Sequence, residues 1–399
     1  MRWSSSRWKG LVIATVLALT AVGLAACTGE DRPGSVTVDS NGNVSVSASA
    51  SGSGSASGSV SALGTGSGSV SGSVSNSGAG GGGTAFEIYT PVSNVDGYFN
   101  FALDRRDMLD LISAGDFAGA RDIYVNGRNF VRGDGTRRPL QSIATDANVL
   151  AQFPNGAEAY GSEQFLDPTI LQGLDGTGRG ADVPDGARRQ LVDKGLQMVF
   201  LGKALQELDA ARDRVEAGNT DDATGAPHAV DEAAALYLGA ADADGNRPWS
   251  LANTAASREG NFGLEGRLDL PLRHAFVDAL RAAQAGDLPA YEDAQSRVEG
   301  YLNSIFYLAS LRYGLSALNA PVETRAVQLN EGWTFFQSIR AVVHAAAPQT
   351  ADRINELYSS APASVPGTIS EEIYDGLNDP AVLQALGVPQ TLVVMEPPQ

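Results

Sequence analysis

Apolar residues recur at helical spacing through most of the chain after Ala85. Between Arg188 and Glu216, the residues Leu191, Leu196, Val199, Phe200, Ala204, Leu208 and Ala211 hold one stripe, the signature of a 3.6-residue period. The same spacing predicts helices over Leu103–Ser113, Phe117–Asn126, Asp231–Leu238, Leu272–Ala285, Leu288–Leu318, Ala326–Ala346 and Ala351–Ser359. Between the first two lies Ala114-Gly115-Asp116, where glycine ends one helix in the left-handed conformation and aspartate caps the next. Strand-like runs are scarce, and Thr391–Met395 is the one short candidate. The expected class is all-α, a helical bundle.

Turn chemistry hints at a repeat. Ala285-Gly286-Asp287-Leu288 echoes Ala114-Gly115-Asp116-Phe117, and each precedes a helix. The long helix 188–216 is followed by one opening at Asp231-Glu232, and the long helix 288–318 by one opening at Asn330-Glu331. Two similar bundles, roughly 100–240 and 270–346, would then present Glu232 and Glu331 in related places; chance likeness between two Ala-rich helical stretches is the alternative.

The first 84 residues follow a different pattern. Arg2, Arg7 and Lys9 precede an apolar run from Leu11 to Ala26, too short for a spanning helix and suited to a signal peptide. The run ends Leu24-Ala25-Ala26-Cys27, which resembles a bacterial lipobox. That resemblance implies a signal peptide over 1–26, cleavage before Cys27 and lipid attachment there, so that the chain is tethered to a membrane without crossing it. From Ser45 to Gly83 there are 15 Ser and 12 Gly in 39 residues, too little apolar area to offset ordering entropy. Residues 27–84 therefore read as a flexible tether spanning about 40 Å, and 85–399 as the helical body.

Charge and cysteine usage narrow the function. The net charge is −18, and the 1–84 segment holds only four basic and three acidic side chains, so the acidity belongs to the body. Such a body repels phosphate backbones, which argues against nucleic-acid partners and makes cations the natural ones. With Cys27 the sole cysteine, intramolecular disulfides, Cys-rich zinc sites, iron–sulfur clusters and a thiol nucleophile in the body are excluded.

Only three histidines remain as candidate nitrogen ligands. In Gly225-Ala226-Pro227-His228-Ala229-Val230-Asp231-Glu232, His228 and Glu232 stand four apart and share a helix face, with Asp231 close by. Pro227 suits a first turn, so this group sits near a helix N-terminus. One nitrogen with carboxylate oxygens begins a site for iron or manganese; capping of the helix dipole by Asp231 and Glu232 is the competing use. Glu331 precedes Trp333, Phe335 and Phe336, and a carboxylate beside aromatic rings needs a partner or a cation. Glu259 lies in Ser257-Arg258-Glu259-Gly260-Asn261-Phe262-Gly263, read as a glycine-containing loop, where it either reaches a neighbouring site or pairs with Arg258. Of Glu207 and Asp209, one reads as an exposed and the other as a half-buried acid, and His274 and His344 read as surface or satisfied core residues.

Other signals fail. Asp242-Ala243-Asp244-Gly245-Asn246 starts like a calcium loop but has Arg247 and Asn253 where Gly and Glu are required, so it reads as a turn. The glycines at 176, 178 and 180 lack dinucleotide spacing, and neither a His-Glu-x-x-His motif nor a Gly-x-Ser-x-Gly elbow occurs. No enzyme activity is expected.

Several segments taken in order carry a family likeness: Ala120–Gly127, Phe165-Leu166-Asp167-Pro168, Asp175–Gly178, Gly225–Glu232 with Leu236-Tyr237, Arg258–Gly263 and Glu331-Gly332. The set resembles the Fe-assimilating, low-iron-inducible periplasmic proteins of green algae and their bacterial relatives, over roughly Phe86 to Pro348. The resemblance implies extracytoplasmic capture of iron, Fe2+ or Fe3+, with His228, Asp231, Glu232, Glu259 and Glu331 as metal ligands and Tyr237 as a nearby phenolate. An envelope transporter would receive the ion. The chain is also similar to imelysin-like helical iron-uptake lipoproteins, but departs from their Gly-x-His-x-x-Glu motif because Glu232 follows His228 by four. The alternative function is a metal-free helical lipoprotein that docks a transporter as a scaffold.

Overall fold

A computed structural model describes residues 88–397 and, in the N-terminal part, two short strands. The chain divides into two units, Met1–Ser75 and Asn76–Gln399. In the first, β1 (Ser35–Val38) pairs antiparallel with β2 (Val44–Ser47), Val36 opposite Val46. Both strands fall within the 27–84 segment assigned to the tether. Cys27, the signal peptide and most of the tether lie outside the described residues.

The second unit is all-α, as the periodicity predicts. It opens with α1 (Asp96–Ser113) and α2 (Phe117–Asn126), then the short α3 (Leu140–Ala144), α4 (Ala147–Leu150) and α5 (Gly156–Tyr160). Next come α6 (Leu166–Asp175), the 32-residue α7 (Asp185–Glu216), α8 (Ala226–Leu238), α9 (Leu251–Phe262) and α10 (Asp269–Ala285). The chain ends with α11 (Leu288–Asn319), α12 (Val322–Ala346), α13 (Pro348–Tyr358), α14 (Ile369–Leu377) and α15 (Pro380–Leu386). Among the described residues no helix is long and apolar enough to cross a membrane.

The echoed turns have the expected chemistry at both places. Gly115 and Gly286 take φ of 82° and 67°, Asp116 accepts from the Gly119 amide and Asp287 from the Ala290 amide. Two expectations change. Thr391–Met395 forms no strand; a 3-10 turn covers Gln390–Leu392, and the Val394 amide donates to the Tyr307 hydroxyl. The segment around Glu259 is helix and not loop, because Ser250 caps α9 at the Asn253 amide while buried Leu251, Ala252 and Ala255 anchor it. Only Gly263 leaves the helix, in the left-handed conformation.

The centre of the body is α7, which packs against α8, α12, α6 and α11, while α11 packs against α12 and α10. Being surrounded, α7 buries residues on every side, including the charged Asp193, Lys203 and Glu207. Close approach is built in at Gly332, where an added Cβ would stand 2.2 Å from the Tyr358 ring. That contact presses α12 onto α13 beside Glu331.

Candidate metal centre

The N-terminus of α8 carries the group singled out by the sequence. Pro227 lies in the first turn, and one turn on, His228 Nε2 meets Glu232 Oε1 at 3.2 Å. Asp231 leaves the group on another face. Fully buried, it accepts from the Tyr89 hydroxyl at 2.6 Å, the Val92 and Ser93 amides at 2.9 and 2.8 Å, and the Ser93 hydroxyl at 2.7 Å. Four donors saturate a carboxylate, so Asp231 pins the segment 89–93 onto α8.

Through that segment Asp231 still acts on the histidine. Ser93 Oγ stands 2.8 Å from His228 Nδ1, and its single proton already goes to Asp231. Ser93 therefore accepts, Nδ1 carries the hydrogen, and Nε2 of the neutral ring is bare. Burial, with the charge of Arg214, lowers the His228 pKa and keeps the ring neutral at pH 7. The bare nitrogen faces Glu232, a contact that requires a proton or another cation between the two acceptors.

Glu232 meets a second acid on its other side. It is hydrogen-bonded to Glu207 of α7, one of two acids read from the sequence as one exposed and one half-buried, and only 4% exposed here. Burial first, then the charge of Glu207, raises the Glu232 pKa from 4.5 to about 8, so Glu232 holds a proton at neutral pH with the imidazole on one side and Glu207 on the other. Lys203, one turn earlier on α7, pairs with Glu207, and the Tyr98 hydroxyl donates to Glu207 at 3.1 Å while accepting from Arg138 at 2.9 Å. Tyr98 keeps its proton, since burial and the charges of Glu207 and Glu232 push its pKa far up. Glu207, Lys203 and Tyr98 escaped the sequence reading. The available sign was the Lys203–Glu207 pair at i, i+4 inside the longest stripe, next to Ala204 and Leu208.

The five predicted ligands are not brought together. Glu259, 6% exposed, accepts from the Leu268 and Asp269 amides and caps α10. Glu331 is buried as its aromatic neighbours imply, but it accepts from the Tyr313 hydroxyl at 2.6 Å and pairs with Lys194 at 3.1 Å. Lys194 also pairs with Asp193, which binds Arg105 at 2.6 Å. Burial works against the Asp193 charge, yet Arg105, Lys194 and Arg189 outweigh it and hold that carboxyl far below its usual range. Tyr237 donates to Asp269, and burial with that negative charge holds its pKa well above the usual, so it is no phenolate beside His228. His274 is exposed and His344 is buried. Among the described residues no three His, Cys, Asp or Glu stand as a group that could hold a metal ion: His228 meets Glu232, Glu232 meets Glu207, and Glu207 pairs with Lys203.

Comparison with known proteins adds one finding. A family model described as low iron-inducible periplasmic protein matches residues 59–326, about two-thirds of the chain. The matched range includes Tyr98, Lys203, Glu207, His228, Asp231, Glu232 and Glu259, and ends before Glu331. No curated protein and no solved structure matches the chain. The all-α body and the extent of this match agree with the likeness carried by the motifs, and the chain belongs to the low iron-inducible periplasmic protein family.

Proposed function

We propose that this protein binds iron outside the cytoplasm and holds it for uptake, using His228 Nε2 and the carboxylates of Glu232 and Glu207. The observation that supports the reading is a run of three acceptors with one proton among them: Nε2 and Glu232 at 3.2 Å, with Glu207 bonded to Glu232 beyond. A cation replaces that proton and removes the repulsion between the two carboxylates. One imidazole with two carboxylates is a donor set suited to ferrous iron. Asp231 takes a different part from the one first assigned to it. By way of Ser93 it fixes the tautomer and orientation of the ligand ring, as outer hydrogen bonds commonly do for metal-bound histidines. Family membership supports a periplasmic, iron-related role. The lipid anchor at Cys27 and a receiving transporter in the envelope complete the proposal.

Proton competition sets the expected pH dependence. Iron displaces the proton held by the carboxyl pair, so affinity rises with pH up to about 8 and does not level off in the histidine range. The test is an anoxic titration of the chelator-stripped full-length chain with ferrous iron, comparing Glu232→Gln, Glu207→Gln and Glu331→Gln. About one equivalent should bind, at least about tenfold more weakly in the first two variants and unchanged in the third. Binding that survives both Glu232→Gln and Glu207→Gln would remove the site. No binding at all would leave the helical scaffold as the function.

A further inference from the structure

His228, Glu232 and Glu207 form a run, and one more oxygen closes it. The Tyr98 hydroxyl of α1 donates to Glu207 at 3.1 Å and is hydrogen-bonded to Glu232 as well, while Glu232 and Glu207 are bonded to each other. Three oxygens from α1, α7 and α8 thus make a triangle, and His228 Nε2 stands 3.2 Å from the Glu232 corner. The tyrosine is held in place on its other sides. It is buried, its ring meets Phe101 and Phe130 edge to face, and Arg138 donates to its hydroxyl at 2.9 Å with the guanidinium 5.5 Å from the ring centre.

Donor atoms bound about 2.0–2.2 Å from one first-row cation stand about 3 Å from each other when adjacent around it. The Tyr98–Glu207 and His228–Glu232 separations, 3.1 and 3.2 Å, have that spacing. We propose that the Tyr98 oxygen is a further ligand to the iron, bound as phenolate, and that the site thereby holds the ferric ion. The inference rests on the His228–Glu232–Glu207 site proposed above and names the oxidation state it takes. Two carboxylates neutralise a divalent ion, and a third anionic oxygen meets the added charge of a trivalent one. Without metal, burial and the two carboxylates keep the hydroxyl protonated; a cation among the three oxygens cancels the charges that oppose its ionisation. The iron–oxygen bond then replaces the O–H bond, and the proton leaves to solvent with the one held by Glu232. Arg138 already favours the anion, and its hydrogen bond to the oxygen can persist beside the metal. Tyr98 thus takes the part that the family likeness implied for Tyr237, which is bonded to Asp269.

The test is titration of the chelator-stripped full-length chain with ferric nitrilotriacetate, followed by bound iron and by visible absorption. A phenolate on ferric iron gives a charge-transfer band in the visible that carboxylate and imidazole ligands do not. The band should grow in proportion to bound iron and persist in Tyr237→Phe. Tyr98→Phe should lose it and bind ferric iron at least about tenfold more weakly, with a smaller change for ferrous iron. Ferric iron bound without the band, or a band undiminished in Tyr98→Phe, overturns the proposal. Either result with ferrous iron still bound leaves the His228–Glu232–Glu207 site standing, whereas failure of both ions to bind overturns the two together. If Tyr98→Phe does not fold, Arg138→Met decides. Loss of the hydrogen bond to the phenolate oxygen must move the band to lower energy, and an unmoved band overturns the assignment.

Discussion

Glu331 and Glu232 both face α7, and each has a tyrosine hydroxyl and a lysine nearby, yet their surroundings differ in charge. Around Glu331, each carboxylate is matched: Lys194 bridges Glu331 and Asp193, and Arg105 holds Asp193. Around Glu232, the two carboxyls have Lys203 as their cation, with a bare imidazole nitrogen beside them, while Arg138 donates to the Tyr98 hydroxyl. The first arrangement clasps α1, α7 and α12 with pairs already complete. The second keeps a demand for positive charge that one proton meets at neutral pH. Burial alone therefore does not mark a functional acid, because the two side chains are exposed to a similar degree, 13% and 10%. What separates them is whether the cations around the acids are at least as many as the anions.

The largest effect should come from breaking the complete cluster. Asp193→Ala removes the anion shared by Arg105 and Lys194, side chains that are 7% and 14% exposed. A buried pair that loses one partner typically costs about 3–5 kcal/mol, because the remaining charge has nothing to face. Urea unfolding at pH 7 should show a loss of that size, with ferrous iron binding unchanged. A loss below about 1 kcal/mol would mean that the cluster is not a clasp, and the contrast with Glu232 would fail.

The incomplete cluster should answer to pH instead. The folded protein keeps a proton on Glu232 that the unfolded chain releases near 4.5, so the folded state binds more protons between 4.5 and about 8. Stability linked to this group is present in full below 4.5 and is lost as pH rises through about 8. At about 1.4 kcal/mol per tenfold change in proton affinity, the penalty at high pH is on the order of 5 kcal/mol at most. Glu232→Gln carries no such proton. Unfolding free energies of the metal-free proteins, measured from pH 5 to 9, should diverge, the variant gaining relative to wild type as pH rises. Parallel curves would show that neither burial nor Glu207 raises the Glu232 pKa in the fold.

The sequence discloses the two clusters unequally, for a physical reason. The helices, the Gly115-Asp116 and Gly286-Asp287 turns and the His228–Glu232 contact are local features, set by periods of three or four residues. Asp231 looked like a ligand because its position in the chain is right; its side chain is directed by Tyr89, Val92 and Ser93, some 140 residues away. Glu207 was passed over because an acid in an amphipathic helix ordinarily faces water, and only the packing of α7 against four other helices turns that face inward. The pairs Arg105–Asp193 and Lys194–Glu331 join segments far apart and leave no periodic trace. Helix α9 was missed because Ser257–Asn261 is polar and contains Gly260, while its real signal, the Ser250 cap, stands seven residues earlier.

The smallest effect concerns Glu259, which belongs to neither cluster and sharpens the comparison as a control. Its carboxylate accepts from the Leu268 and Asp269 amides, placing negative charge at the N-terminal end of α10. In Glu259→Gln the amide oxygen still accepts a hydrogen bond, but the charge facing the helix dipole is gone, a change worth about 1 kcal/mol. Thermal unfolding should show that modest loss, and ferrous iron affinity should stay within about twofold of wild type. For Glu259 to ligate iron it would have to release both amides, exposing the first turn of α10 and giving up two charge-assisted bonds together. A fall in iron affinity of tenfold or more, with the fold intact, would mean that α9 swings in this way when metal binds, and the ligand set would then extend beyond His228, Glu232 and Glu207.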